Sequence, residues 1–245
     1  MIWAWSRIRK QLSRTPGMLA YSTGIADLRE FFTVTLWEKE IDMILFMSSE
    51  DHRDMMWNAR NWSESFWSMR WDPTGREFGN WNGKSFGDEI SREKKKQTYL
   101  GPGFLHPSEV PDGLLPYLKN ITRQTEPEPI EVPAVLARIP AKSMLESVRI
   151  SRAFKFWHNS PDLLYFRCCV GFGECVLIAI FKPEREDLSA DLIEALAENF
   201  PQSWVMRFQA TDFETGHWNG FRFRELGGVD NAANPSTDNI PRNDR

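Results

Sequence analysis

WSMRWDPTGREFGNWNGKSF, residues 67–86, returns at residues 204–223 as WVMRFQATDFETGHWNGFRF. At a constant offset of 137, Trp67, Met69, Arg70, Thr74, Glu77, Gly79, Trp81, Asn82, Gly83 and Phe86 each meet the same residue type. Ten identities in twenty ungapped positions stand far above the roughly one or two that average residue usage produces. The chain therefore reads as a tandem duplication, and its 245 residues divide into two related halves instead of one large domain.

Around the second copy, residues 134–139 predict a strand entered through Pro133, where a missing ladder donor is tolerated. A helix over 142–158 and strands over 163–169 and 174–181 follow. Next come a helix capped by Ser189, with Leu192, Leu196 and Phe200 toward the core, and a closing strand over 204–211. This order, β-α-β-β-α-β, is that of a ferredoxin-like unit, an antiparallel sheet backed by two helices.

The first half reads helix, strand, strand, helix, strand. Trp5, Ile8 and Leu12 share one helical face; strands are predicted over 18–22, 31–37 and 66–71. Between them Met43, Phe46 and Met47 form a helical stripe, and Ser48 with Asp51 resembles a capping box that restarts the helix. Nothing here corresponds to the opening strand at 134–139. In a ferredoxin-like sheet that strand is central, and its loss leaves two neighbours without ladder partners. Either the chain starts late, at an internal methionine, or another segment or partner supplies the strand. The expected organisation is a repeat over 1–86, a proline- and charge-rich connector over 87–131, a second repeat over 132–226 and a disordered tail over 227–245.

Composition narrows the function classes. A net charge of -4 with a pI near 5.7 gives no electrostatic footprint for nucleic acid. No apolar run reaches the length of a bilayer span, so no membrane partner is expected. Cys168, Cys169 and Cys175 are an odd set inside predicted strands, which fits buried thiols in a reducing, cytoplasmic compartment better than a disulfide framework or a metal site. Eleven Trp and seventeen Phe supply material for cores and for apolar pockets.

One helical face carries chemistry. His52, Met55, Met56 and Ala59 fall at i, i+3, i+4 and i+7, so a titratable group points onto an apolar stripe. Such a histidine serves equally as a core residue hydrogen-bonded to a neighbour, and Trp37 as a core indole. Arg70 and Arg207 recur in both copies with Trp-Asn-Gly, a structural pattern read as an Arg stacked on Trp and a turn fixed by Asn82 and Asn219.

Residues 14–56, RTPGMLAYSTGIADLREFFTVTLWEKEIDMILFMSSEDHRDMM, carry Pro16, Gly17, Thr35, Trp37, Phe46, Ser49, His52 and Arg53. In these residues the chain, over about 5–72, resembles the small monooxygenase-like proteins of the dimeric α+β barrel superfamily. That group includes the antibiotic-biosynthesis monooxygenases and families sharing a strand-ending Trp and a Ser-x-x-His. In the second half Phe181 replaces Trp37 and nothing replaces His52, which puts a second active site in doubt.

The resemblance implies an intramolecular dimeric α+β barrel, or a homodimer, with a cavity between sheet and helices. Some members of the superfamily oxidise phenolic or polycyclic molecules with dioxygen and no cofactor, and others bind haem. Cofactor-free oxygenation needs a base, donors for the resulting phenolate and a dry cavity. His52 is the candidate catalytic base; Trp37, Arg53, Met55, Met56, Asn58 and Arg70 are the candidate substrate-binding residues. The expected function is a cofactor-independent monooxygenase-like activity on a small apolar, aromatic or polyene molecule. The alternative is a non-catalytic small-ligand-binding or interaction protein. Haem is a third option, with His106, His158 and His217 as further ligands that sit in no spacing demanding iron.

Overall fold

The computed structural model of the chain describes residues 10–26, 30–49, 52, 67–87, 132–171 and 173–216. The expected connector beyond Gly87, the tail over 227–245 and the second Trp-Asn-Gly turn with Asn219 lie outside these residues. The elements are β1 Met18–Ile25, β2 Phe31–Trp37, α1 Glu40–Ser48, β3 Trp67–Phe78, β4 Pro133–Pro140, α2 Met144–Ala153, β5 Leu163–Gly171, β6 Glu174–Phe181, α3 Glu186–Asn199 and β7 Trp204–Gly216. The protein is α+β. Among the described residues the strands make one seven-stranded antiparallel sheet in the order β2-β1-β5-β6-β4-β7-β3, so strands of the first half flank those of the second on both sides.

Local chemistry accounts for these elements. β2, FFTVTLW, and β6, ECVLIAIF, are dense in β-branched and aromatic side chains that suit a pleated, packed surface. α2 starts on a reciprocal cap: Ser143 Oγ accepts from Glu146 N at 3.2 Å, and the Glu146 carboxylate accepts from Lys142 N at 2.5 Å. The helix expected over 142–158 stops at Ala153 and continues as a 3₁₀ segment, Lys155–Asn159. Ser189 is not the cap of α3. The helix begins three residues earlier, behind Pro183, and the buried Ser189 hydroxyl donates back to Glu186 O at 2.6 Å. Leu192 and Leu196 do face the core.

Alternation along the strands makes two faces. The concave face gathers Leu36, Leu136, Tyr165, Val176, Ile178, Trp204 and Met206. On the convex face, Val135, Ala137, Phe166 and Leu177 lie under Leu192 and Leu196 of α3 and Ile150 of α2, while Leu12 and Phe46 pack with Tyr21 and Trp37. Trp67 on β3 comes within 6.2 Å of Tyr165 on β5, centroid to centroid, although three strands intervene. The sheet is therefore curled into a half-barrel. Cys168, Cys169 and Cys175 are buried free thiols, and burial, with the nearby Glu30 charge, pushes Cys169 up to about 12.

The two halves meet at two seams. β1 and β5 share one ladder pair, Ile25 with Val170, and approach closely because Gly24 has no side chain: a Cβ there would lie 2.7 Å from Cys169 Cβ. Polar contacts reinforce that seam. Glu30 accepts from Arg167 Nε at 2.8 Å and Tyr165 OH at 3.0 Å, and Glu174 accepts from Ser22 Oγ and, at 2.5 Å, from Arg138 Nε. The second seam is the β3–β7 ladder, where the repeated stretch pairs with itself. Met69 faces Glu214 and Glu77 faces Met206; Ser68 faces Thr215 and Phe78 faces Val205. Under the offset of 137, each of these pairs maps onto its mate.

After β3 the chain makes a two-residue turn at Asn82 (φ 54°) and Gly83 (φ 80°), closed by Trp81 N to Lys84 O at 2.8 Å and Lys84 N to Trp81 O at 3.2 Å. Left-handed conformations at both central residues are what Asn-Gly tolerates best. Asn80, not Asn82, lends its side chain, accepting from Gly83 N at 2.9 Å. The turn delivers Trp81 and Phe86 onto Trp204, with centroids at 5.0 and 5.9 Å. Arg138 lies over Trp81 at 5.7 Å, and Arg207 pairs with Glu186.

Glu77 ties the turn to the sheet. Its carboxylate accepts from Phe86 N (2.8 Å), Gly87 N (2.6 Å), Ser85 Oγ (2.5 Å) and the buried Trp204 Nε1 (2.5 Å). Burial alone would raise the Glu77 pKa, but these donors outweigh it and hold it below the ordinary 4.5. Glu77→Gln puts an amide N–H₂ against backbone donors, and chemical denaturation at pH 7 should register a loss of about 1–3 kcal/mol. Because the folded pKa is depressed, that stabilisation is present above 4.5 and fades as pH falls through the lower folded value. The gap between wild type and Glu77→Gln should close correspondingly in acid. Gly79→Ala should cost about 2 kcal/mol or more in the same assay, since Gly79 has φ 73° and a Cβ would run into Ser203 O.

Candidate functional site

The convex side of the first half brings two of the candidate residues together. Trp37 ends β2 on the face turned toward α1, and its ring lies 5.3 Å from that of Phe46. His52 lies on the next turn of chain, its ring 4.8 Å from Phe46. Phe46 is thus in contact with both the strand-ending indole and the imidazole. This cluster is apolar apart from its tips: Leu12, Met18, Tyr21 and Met47 complete it.

His52 Nδ1 is 3.1 Å from Met47 O. A carbonyl only accepts, so Nδ1 carries the proton and donates, and in the neutral ring Nε2 holds the lone pair. Burial, opposed in part by the Met47 carbonyl, lowers the His52 pKa below 6.5. The ring is therefore neutral near pH 7, with Nε2 available as a base.

Two buried polar atoms border the same layer with no hydrogen-bond partner among the described residues: Trp37 Nε1 and Gln11 Oε1. The other end of the Gln11 amide donates to Ser49 Oγ at 2.5 Å, and Ser49 Oγ donates to Phe46 O at 2.5 Å, so the C-terminus of α1 is closed by side chains. A buried N–H without an acceptor costs about 1–3 kcal/mol. Ser49 belongs to the Ser-x-x-His pattern; Gln11, beside Leu12 in the helical residues 10–12, carried no sequence signal.

Arg53, Met55, Met56 and Asn58 lie outside the described residues. Arg70 lies in β3, at the opposite end of the strand order from β2, and alternation sets it on the face away from Trp67, Met69 and Trp71. Of the alternative haem ligands, His158 packs edge-on against Phe166 at 5.2 Å and its pKa is lowered by burial and then by Arg167; His106 and His217 lie outside the described residues. Among the described residues no group of three or more His, Cys, Asp or Glu is arranged to hold a metal, and no helix is long and apolar enough to cross a membrane. A cavity of about 270 Å³ lies elsewhere, lined by Arg76, Glu77, Ala190, Ile193 and Glu194 of β3 and α3.

No protein-family model, curated protein or solved structure matches this chain.

Proton titration tests the His52 geometry. Nitrogen-15 spectra should give the Nδ1–H tautomer for His52 and a midpoint below 6.5. A depressed folded pKa means the unfolded state binds more protons below 6.5, so this residue favours the fold above that pH and the advantage is lost as pH falls. Relative to His52→Gln, the wild type should lose stability as pH drops from 7 toward 5; a flat difference would contradict the burial.

Proposed function

We propose that the chain is a small-molecule-binding protein whose two halves are ferredoxin-like repeats joined as an intramolecular α+β barrel. Its site is the Trp37–Phe46–His52 cluster of the first half. The repeat reading draws support from the β3–β7 ladder, in which duplicated residues pair about a common axis, and from the order β5-β6-β4-β7 in the second half. The activity we propose is proton abstraction from an acidic hydroxyl of an aromatic substrate, the first step of a cofactor-independent monooxygenase-like oxidation by dioxygen.

The observation that carries this reading is the 3.1 Å approach of His52 Nδ1 to Met47 O. Donation of Nδ1–H to Met47 O leaves Nε2 basic beside an aromatic ring, and Trp37 Nε1 supplies an unpartnered donor in the same layer. A phenol reaching His52 would pass its proton to Nε2, and the resulting phenolate would accept from the indole N–H. The same packing also favours a second reading, non-catalytic binding, because an imidazole held by a backbone carbonyl and an aromatic ring is equally a core residue.

His52→Ala separates the two. With a phenolic substrate found by screening for dioxygen uptake, turnover per folded molecule should fall by about 10²-fold or more if Nε2 is the base. Unchanged specific activity, with stability reduced by about 1–3 kcal/mol, would leave His52 as a core residue. A visible absorption band in the purified protein would overturn the cofactor-independent chemistry.

A further inference from the structure

α2 and α3 lie on the same convex face, with Ile150 of α2 and Leu192 and Leu196 of α3 turned into one core. β4 and β5 point one way and β6 and β7 the other, so the two helices, each returning between a pair of parallel strands, run antiparallel. Their outward faces carry opposite charge. From Lys142 to Phe156 the exposed side chains include Lys142, Arg149, Arg152 and Lys155, and the one acidic residue, Glu146, is taken up by the Lys142 amide. α3 exposes Glu186, Asp187, Asp191, Glu194 and Glu198 and contains no lysine or arginine. Arg149, Arg152, Asp191, Glu194 and Glu198 make no ion pair among the described residues.

The basic face also exposes carbon. Met144, Leu145 and Phe156 are 56%, 74% and 71% exposed, half of the large apolar side chains so exposed among the described residues. Apolar surface gathered in one place and rimmed by charge marks an interaction site. The two helix faces share one spacing as well. Leu145, Arg149, Arg152 and Phe156 follow each other at intervals of 4, 3 and 4 residues, and so do Asp187, Asp191, Glu194 and Glu198.

We propose that this convex face pairs with the same face of a second copy, α2 of each chain lying against α3 of the other, about a two-fold axis parallel to the helices. Rotation about that axis sets α2 antiparallel over α3. Arg149 then meets Glu194 of the second copy and Arg152 meets Asp191 of the second copy, and symmetry makes each pair twice. Leu145 and Phe156, at the two ends of the basic stripe, are covered in the same step. Exposed ion pairs are individually weak, so the apolar side chains supply the area while the matched charges select the partner and its orientation. An anionic lipid surface fits less well, because the acidic face of α3 lies beside α2 and would meet the same surface. The inference is independent of the His52 chemistry.

Sedimentation of the full-length protein at low ionic strength should show a reversible dimer, with association weakened about tenfold or more as added salt screens the helix faces. Arg149→Glu with Arg152→Glu, and in a second variant Asp191→Lys with Glu194→Lys, should each sediment as monomers while keeping the circular dichroism of the wild type. Equal amounts of the two variants should form the dimer again, because every α2 then faces an α3 of opposite charge. Pairing through any other surface cannot produce that recovery. A wild type that is monomeric at every ionic strength, as when the chain's own remaining residues cover α2, would overturn the proposal. So would a dimer that survives in both reversed variants, a mixture that stays monomeric, or a monomeric wild type that binds phosphatidylserine vesicles through Arg149 and Arg152.

Discussion

One carboxylate sets the relation between the repeated stretch and the sheet. Glu77 takes hydrogen bonds from two successive backbone amides, a serine hydroxyl and the indole of Trp204, so one side chain joins a turn of the first half to a strand of the second. Charge-assisted acceptance from buried donors is among the stronger neutral-pH contacts a protein makes. Here it positions Trp81 and Phe86 against Trp204, three aromatic side chains at the heart of the concave core. Loosen that anchor and the core loses one wall, because Trp81 and Phe86 have no strand of their own to hold them.

The curl of the sheet then divides the labour between its faces. The concave side is mostly packed aromatic and aliphatic surface, with Glu30, Arg167, Glu174 and Arg138 as paired charges at the seam. Such partly buried pairs add little net stability, since desolvation offsets attraction, and of the two only Glu30–Arg167 spans the halves. The convex side holds the helices, and there the first half differs from the second. Leu177 and Phe181 fill the space under α3 with aliphatic and aromatic carbon, whereas the layer against α1 contains an indole nitrogen, an amide oxygen and an imidazole. The two helix-covered layers thus differ in chemistry, one apolar and the other carrying buried polar atoms.

Strands with an uninterrupted β-branched and aromatic run, β2 and β6, were legible to the residue, because such a composition marks its own ends against the polar residues that flank it. β3 and β7 run several residues beyond their periodic cores, to Phe78 and Gly216, because the partner of each is the other, 137 positions away, and no local pattern encodes that pairing. Ser189 has the chemistry of a cap, yet Pro183 starts the helical course earlier and the hydroxyl turns inward. Arg138 lies over Trp81, a contact that the repeat does not encode because Arg138 sits on a neighbouring strand outside the repeated stretch. At the site, the strand-ending Trp37 and the Ser-x-x-His spacing pointed to Trp37 and His52. Gln11, whose amide closes the end of α1, comes from a distant segment that only the fold brings near.

The self-pairing of β3 with β7 also bears on dilution. Two separate chains, each bearing one copy of the stretch, would meet at a rate set by their concentration and would part when diluted below the dissociation constant. Carried on one chain, each copy experiences the other at an effective concentration on the order of millimolar, whatever the amount of protein in solution. The pairing thus becomes first-order, and the two strands can diverge in sequence, as Trp71 and Phe208 already have, without losing each other.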